Sequence, residues 1–319
     1  MHSTRLFLRR AYRLTRLGLH LLLAIFIAGV LIPPANRAGR DRLISFWSGR
    51  LLKVLGVRMQ AGRPPSLPGG ALLVCNHVSW LDIYLLYAAQ RVHFVSKSEV
   101  RAWPVFGWLA HQGGTLFLER GRRADTVRIN HAMRELMQQG AWVAVFPEGT
   151  TSDGRRLKKF LSSLLQPAVE LGCPIVPAAL RYRTRAGEYS AVPVYINDIS
   201  MWQSVKRIIS EPDLVAELTF GEPFAPDAHR RELAVHAEAV IARLLGTVPV
   251  SNTPLDAQPT AGLGAAPARS TPPDAQPTAG LGAAVGGTSG RTPGDLPAES
   301  PSADRPTDNP YPVQSDRDV

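Results

Sequence analysis

From about residue 70 the chain alternates short apolar runs with amphipathic stretches of helical length. The runs at 71–75, 92–96, 115–118, 142–146, 175–180 and 191–196 are bounded by polar or turn-forming residues, a pattern that predicts strands. Residues 123–139 instead place Ile129, Met133 and Leu136 at a period near 3.6, which predicts an amphipathic helix. A strand at 214–220 and a helix at 228–245 close the pattern near Gly246. Alternation of this kind predicts an α/β domain whose mostly parallel sheet is flanked by helices.

The two ends break this pattern in different ways. Arg5, Arg9, Arg10, Arg13 and Arg16 precede an apolar run at 17–32, Pro33 and Pro34 end any helix there, and Arg37, Arg40 and Arg42 resume the charge. The run is shorter than the roughly 20 residues of a spanning helix and contains His20. Positive charge on both flanks argues that both ends stay on the cytoplasmic side. We therefore expect a helical hairpin or interfacial anchor in one leaflet, at the cytoplasmic face of the inner membrane, with its arginines on anionic headgroups. A single span is the alternative, and the lack of a small-x-small site after the run argues against a signal peptide. After Val250 the chain turns to Pro, Ala, Gly, Thr and Asp, and the eleven residues at 256–266 recur at 274–284. Such a segment buries too little apolar surface to offset its ordering entropy, so the tail is expected to be disordered. Three regions result: a basic, membrane-associating segment at 1–50, an α/β domain at 51–248 and a tail at 249–319.

Composition narrows the class. At 319 residues and 45% hydrophobic content the chain can bury a sizeable core. Cys75 and Cys173 are its only two cysteines, which gives no disulfide framework, suits a reducing compartment and matches no zinc spacing. The net charge of +10 asks for an anionic partner. Because the basic residues flank an apolar run and no nucleic-acid reader motif is present, that partner is expected to be a membrane surface rather than nucleic acid.

Candidate chemistry gathers after the predicted strands. Asn76-His77-Val78-Ser79-Trp80-Leu81-Asp82 follows the first. Histidine titrates near neutrality, with an ordinary pKa of about 6.5, and Asp82 could fix its tautomer and steady the imidazolium. Ser79 and Asp82 also fit an S-x-x-D helix cap, a role compatible with the first because a carboxylate in the first turn can face back to the preceding loop. Lys97 follows the second strand, Glu119-Arg120 the third and Pro147-Glu148-Gly149-Thr150 the fourth. Strand ends of an open parallel sheet form one ligand crevice, so these residues should converge. There Arg120 and Lys97 suit a phosphate, Glu148 suits substrate hydroxyls, and the backbone at Gly149 and Thr150 suits an anion. Arg155, Arg156, Lys158 and Lys159 form a solvated or membrane-facing run. Two rival readings remain: a thiol hydrolase using Cys75, and a non-catalytic membrane-surface binder.

These residues resemble the glycerolipid acyltransferases typified by bacterial 1-acylglycerol-3-phosphate O-acyltransferases. The N-H-x-x-x-x-D motif is matched by Asn76, His77 and Asp82, with Ser79 in its common place; G-x-x-F-x-x-R by Gly114, Phe117 and Arg120; F-P-E-G-T by Phe146 to Thr150; and a proline-bearing apolar run by Ile175-Val176-Pro177-Ala178-Ala179. The likeness covers about residues 70–225. It implies that His77 deprotonates an acceptor hydroxyl, which attacks the thioester of acyl-CoA or acyl-carrier protein without a covalent acyl-enzyme, while Asp82 orients His77. It further implies a lysophospholipid acceptor whose phosphate Arg120 and Lys97 hold, and a substrate site that includes Asn76, Ser79, Phe117, Glu148, Gly149 and Thr150. No metal or cofactor beyond the acyl donor is implied. One departure stands out: many relatives continue E-G-T with arginine, whereas this chain continues with Thr151-Ser152-Asp153-Gly154, similar to relatives that acylate lyso-ornithine lipid or other lysolipids.

Overall fold

Strand β2, Ala71–Cys75, lies at the centre of the fold, and all five of its residues are buried. Its alternation explains the layering: Leu73 and Cys75 enter one apolar cluster, Leu72 and Val74 the other. A strand covered on both faces reads as a continuous apolar run, as this one does, and each such Leu or Val side chain contributes about 1.5–3 kcal/mol on burial.

The structure is a computed structural model that describes residues 2–97, 106–112, 115–118 and 123–248. Around β2 stand β1 (Val57–Ala61), β3 (His93–Lys97), β4 (Leu116–Leu118), β5 (Trp142–Val145), β6 (Ile175–Arg183) and β7 (Leu214–Phe220), in the order β1-β7-β6-β2-β5-β3-β4. Only the β6–β7 pair is antiparallel; the rest of the sheet is parallel, as the alternation predicts. Helices α1 (His2–Phe26) and α2 (Arg37–Leu55) precede the sheet, α3 (Leu81–Ala89) follows β2, α4 (Phe106–Gln112) precedes β4, and α5 (Arg123–Gln138) follows it. Then come α6 (Gln166–Leu171), α7 (Met201–Ser210) and α8 (Arg230–Leu245). Side chains of α2, α3 and α7 cover one face of the sheet, and those of α5, α6 and α8 the other.

Three expectations change. The apolar stretch at 191–196 is not a strand: Pro193 offers no ladder N–H, and the segment instead crosses the loop after β2, where Tyr195 N–H donates to the Val78 carbonyl at 3.1 Å. Strand β1 and helix α7 are additional. β1 shows little apolar alternation because it pairs only with β7, leaving Val57 as its one buried residue. The boundary at residue 50 falls inside α2, which continues to Leu55 and buries Leu51, Leu52, Val54 and Leu55 against the domain. The tail at 249–319 lies outside the described residues.

The N-terminal helix is longer than its apolar run. Together with a π-helical turn at Ile27–Leu31 it forms a stretch, Thr4–Leu31, long and apolar enough to cross a membrane. After Pro33-Pro34 the chain turns back through α2, and the two helices pack as a hairpin. Three of the arginines expected on headgroups hydrogen-bond to the protein itself. Arg9 donates to the Ser210 carbonyl (2.8 Å), Arg10 to the Ser210 hydroxyl (2.7 Å) and Arg13 to the carbonyls of Ile209 (3.1 Å) and Glu211 (2.6 Å). These groups sit at the C-terminus of α7, where unpaired carbonyls and the negative end of the helix dipole attract cations. Gly56, at φ +82°, ends α2 beneath the Arg13 guanidinium; a Cβ there would lie 2.1 Å from it.

A second glycine sets the entry to β2. A Cβ on Gly70 would lie 2.1 Å from the backbone carbonyl oxygen of Met137 in α5. Gly70→Ala should therefore lower the unfolding free energy by about 1–3 kcal/mol, the usual cost of overpacking. A denaturation series on the purified protein in detergent checks this, and an unchanged midpoint would show that α5 yields at no cost.

Candidate active site

His77 leaves the C-terminal end of β2 in a loop that becomes α3. Its Nδ1 lies 2.8 Å from Asp82 Oδ2. The same carboxylate oxygen accepts the N–H groups of Val78 (2.6 Å) and Ser79 (2.8 Å), and Oδ1 accepts the Tyr182 hydroxyl at 2.6 Å. Asp82 is fully buried, whereas the His77 side chain remains 18% exposed. A lone carboxylate in such a place would cost several kcal/mol; four donors, each worth about 1.5–3 kcal/mol to a charged acceptor, offset that. Burial first, and the adjacent Asp82 charge second, hold the Tyr182 hydroxyl well above its ordinary pKa of 10, so it stays a donor. With every other neighbour donating to the carboxylate, His77 Nδ1 carries a proton and Nε2 is left as the basic nitrogen.

The capping and catalytic readings of Asp82 thus coincide in one carboxylate. Its hydrogen bonds to Val78 and Ser79 fold the helix entry back on itself, and that fold brings the carboxylate under the imidazole. The imidazole also stacks on Phe146 (ring centroids 4.0 Å apart, 9° between planes), which in turn faces Phe94 at 5.8 Å.

Glu148 reaches the site from the loop after β5, but not as a free carboxylate. Its Oε1 accepts His77 N–H (2.8 Å) and its Oε2 accepts Lys158 N–H (3.0 Å). Burial pushes its pKa up, against the opposing pull of those two backbone N–H groups. Ser152 N–H and Oγ both donate to the His77 carbonyl, at 2.8 and 3.2 Å, and the Thr151 hydroxyl donates to the Tyr195 carbonyl. Both backbone polar groups of His77 are therefore held by the loop at 148–152.

Several expected substrate contacts serve the protein interior instead. Asn76 is fully buried; its amide donates to the Leu180 carbonyl (2.8 Å) and accepts Leu180 N–H (2.7 Å), clamping the loop to β6. Ser79 is fully buried, with its hydroxyl toward Leu81 N–H at 3.4 Å, and Phe117 packs within β4 at 9% exposure. Gly149 adopts φ +69° at half-burial, and Thr150 is exposed. Lys97 ends β3, but its side chain, like Gly114, Glu119 and Arg120, lies outside the described residues. Cys75 is fully buried, and burial raises its thiol well above the ordinary value, with the Asp82 and Glu148 charges adding to the rise. A thiol so placed is neither ionised nor accessible, which argues against the hydrolase reading.

Two contributors escaped the reading of the chain. Tyr182 follows Ala178 and Leu180 at strand period on the same buried face, so extending β6 by two residues would have found it. Trp80, within the histidine motif, donates from Nε1 to the Ser204 hydroxyl of α7 at 3.0 Å, and no local pattern announces a bond across 124 residues. Trp80 also meets Tyr84 edge-on, Tyr84 meets Trp47 of α2, and Trp47 stacks on His20 of α1 at 4.7 Å. The last pair exchanges two hydrogen bonds, His20 Nε2 with the Trp47 carbonyl oxygen (3.0 Å) and Trp47 Nε1 with the His20 carbonyl oxygen (3.1 Å).

A part-exposed imidazole oriented by a buried carboxylate, at the strand ends of an α/β sheet, defines a general-base site able to activate a hydroxyl. The Acyltransferase family model matches residues 59–181, which spans the site from β1 to β6. A 1-acyl-sn-glycerol-3-phosphate acyltransferase of Neisseria gonorrhoeae is 36% identical over 182 residues, covering 57% of this chain and 71% of that one. A lyso-ornithine lipid O-acyltransferase of Pseudomonas aeruginosa is 36% identical over 262 residues, covering 79% and 98%. The crystal structure of the 1-acyl-sn-glycerophosphate acyltransferase PlsC from Thermotoga maritima superposes with a TM-score of 0.57 at 19% identity, over 77% of this chain and 97% of that one, and shares its fold. This chain belongs to the acyltransferase family and is an acyltransferase of its lysolipid-acylating branch.

Two outcomes follow from the geometry. Asp82→Asn, which leaves the size unchanged but disturbs the tautomer, should lower kcat by on the order of 10³-fold or more, while Tyr182→Phe should cost about 1.5–3 kcal/mol of stability and far less activity. Steady-state kinetics beside denaturation curves separate the two, and equal kinetic losses would show that Tyr182 matters to the reaction as much as Asp82. For Glu148 the sign follows from burial: its folded-state pKa lies above the ordinary 4.5, so the folded state binds the proton more tightly than the unfolded one. Its contribution to stability is greatest below that ordinary value and falls as pH rises through the folded-state value. The stability of the wild type relative to Glu148→Gln should accordingly decline as pH rises from the acid side, and a difference that grows with pH would contradict it.

Proposed function

We propose that the protein moves a fatty acyl group from acyl-CoA or acyl-carrier protein to the free hydroxyl of 1-acylglycerol-3-phosphate, forming phosphatidic acid at the cytoplasmic face of the inner membrane. The observation that carries this reading is the imidazole with Nδ1 on a buried carboxylate and Nε2 left to act as base. In the reaction Nε2 takes the acceptor's hydroxyl proton as its oxygen attacks the thioester carbonyl. The C–S bond then breaks, and the imidazolium returns the proton to the departing thiolate. Asp82 stabilises the imidazolium between these steps. A general base contributes typically 10²- to 10⁴-fold, so holding two substrates in line must supply much of the remainder. Arg120 and Lys97 would hold the acceptor's phosphate. The hairpin of α1 and α2 would sink into one leaflet, a reading supported by the exposure of Leu19, Leu22, Ile25, Phe26 and Val30 on α1 and its turn and of Phe46 on α2.

A second acceptor, lyso-ornithine lipid, is favoured by two observations. Where many relatives carry arginine after E-G-T, this chain has Thr151, and its hydroxyl is bonded to the Tyr195 carbonyl. The Pseudomonas relative named for that acceptor also matches over nearly its full length.

Membranes containing the wild type or His77→Ala, given labelled acyl donors and a panel of lysolipids, test both readings. Transfer should be lost in His77→Ala with membrane binding retained, and preserved in Cys75→Ala. The better acceptor of lysophosphatidate and lyso-ornithine lipid identifies the substrate, and acylation of neither in a His77-dependent way would overturn the proposal.

A further inference from the structure

Helix α7 has two unlike faces. Ser204, Ile208 and Ile209 are buried against the sheet layer, whereas Trp202, Gln203, Lys206 and Arg207 are exposed. Trp202 leaves 54% of its surface in solvent, and the Lys206 ammonium stands 5.5 Å from its ring centroid. Between this face and α1 lies an open groove of about 480 Å³ lined by Arg10, Val192, Gln203, Lys206, Arg207 and Ser210. Three of its six lining residues are cations and none is a carboxylate.

Helix capping explains part of this charge. Arg9, Arg10 and Arg13 bind groups at the end of α7, and Arg207 in its last turn complements the same dipole. It does not explain Lys206 beside an exposed indole, nor why further cations line a wall that Arg10 already makes positive. Among the described residues Arg10 uses only Nε, on the Ser210 hydroxyl, so its two Nη groups remain there as donors for another acceptor. Mutually repelling cations around a groove are relieved by an anion, and an indole next to them suits the headgroup layer of a membrane.

We propose that this groove binds the phosphate of an anionic phospholipid headgroup at the membrane surface, with Trp202 seated in the headgroup layer beside it. The occupant is argued from continuity as well as charge. The wall that supplies Arg10 is α1, whose exposed Phe7, Leu8, Tyr12, Leu19, Leu22 and Phe26 lie within one arc of the helix and are uncharged. A groove bordering that arc opens at the lipid surface, and a free soluble anion would have no use for Trp202. The inference rests on the reading of the hairpin as a membrane anchor. The groove shares no residue with the His77 site, although α7 reaches that site's loop through Ser204 and Trp80.

The test uses the full-length protein and flotation with two kinds of vesicle, phosphatidylcholine alone and phosphatidylcholine with phosphatidylglycerol. Lys206→Glu with Arg207→Glu should lower affinity for the anionic vesicles by roughly tenfold or more and leave binding to the neutral ones unchanged. Arg231→Glu with Arg243→Glu, the same charge change on α8 in the opposite layer, serves as control; an equal loss there would overturn the proposal in favour of a general charge effect. The difference in emission between wild type and Trp202→Phe should shift to the blue on anionic vesicles only, and no shift would likewise overturn it. Competition by millimolar glycerol phosphate that abolishes the preference would show a site for free phosphate instead of a lipid. If the Glu pair does not fold, Lys206→Gln with Arg207→Gln reads the same preference. Failure of the hairpin reading is separate: it would appear as loss of binding to neutral vesicles in the wild type.

Discussion

The carboxylate of Asp82 is the group on which the rest of the site depends. It is fully buried, and it survives there as an anion because a histidine, two backbone N–H groups and a tyrosine hydroxyl donate to it. The donors come from three levels of structure: the local turn, the motif histidine and a neighbouring strand. None of these contacts can be removed alone without leaving charge or a donor unsatisfied in a place that water does not reach. That coupling turns a flexible loop histidine into one with a fixed tautomer and a fixed orientation.

The same logic extends to the backbone around His77. Glu148 holds its N–H and Ser152 its carbonyl, while Asn76 and Tyr195 bind the residues on either side to β6 and to the crossing segment at 191–196. The F-P-E-G-T stretch is thereby part of the frame of the histidine through Glu148, while Gly149 is half-buried and Thr150 exposed. Its acidic member shows how: each Glu148 oxygen accepts one backbone N–H, from His77 and from Lys158, which ties the stretch to the histidine loop. A motif shared among relatives can be a motif of architecture even when it sits at the rim of the chemistry.

The α/β class, the mostly parallel sheet and the convergence of His77, Asp82 and Glu148 were legible in the chain because each rests on local pattern: apolar runs of strand length, a helical period, and polar residues just past strand ends. What was not legible depends on partners far away in sequence. Residues 191–196 look like a strand, yet Pro193 and the proximity of Val78 make them a clamp. Asn76 and Ser79 look like site residues because they sit in the motif, yet the adjacent β6 and the helix start consume their polar atoms. Arg9, Arg10 and Arg13 read as free positive charge, yet the end of α7, an element the pattern did not announce, takes hydrogen bonds from all three. Except at Ser79, whose hydroxyl turns to Leu81 N–H two residues on, a long-range hydrogen bond outweighed the local propensity on which the expectation was built.

This has a bearing on how anchoring and catalysis relate. A hairpin that only tethered a soluble domain could join it through a linker, with few contacts between the two. Here α1 caps α7, α2 packs on α3, and His20, Trp47, Tyr84 and Trp80 form a continuous aromatic contact from the hairpin to the histidine loop. Aromatic pairs of this kind add about 0.5–1.5 kcal/mol each beyond their burial, enough together to make the hairpin one cooperative body with the sheet. Since general-base chemistry supplies only part of the rate, positioning of the lipid acceptor must supply much of the rest, and a lipid is positioned by the surface that holds it. On the proposed reading of the hairpin as a membrane anchor, fixing it to the catalytic loop would place the acceptor and the base in one frame, which a flexible tether could not do.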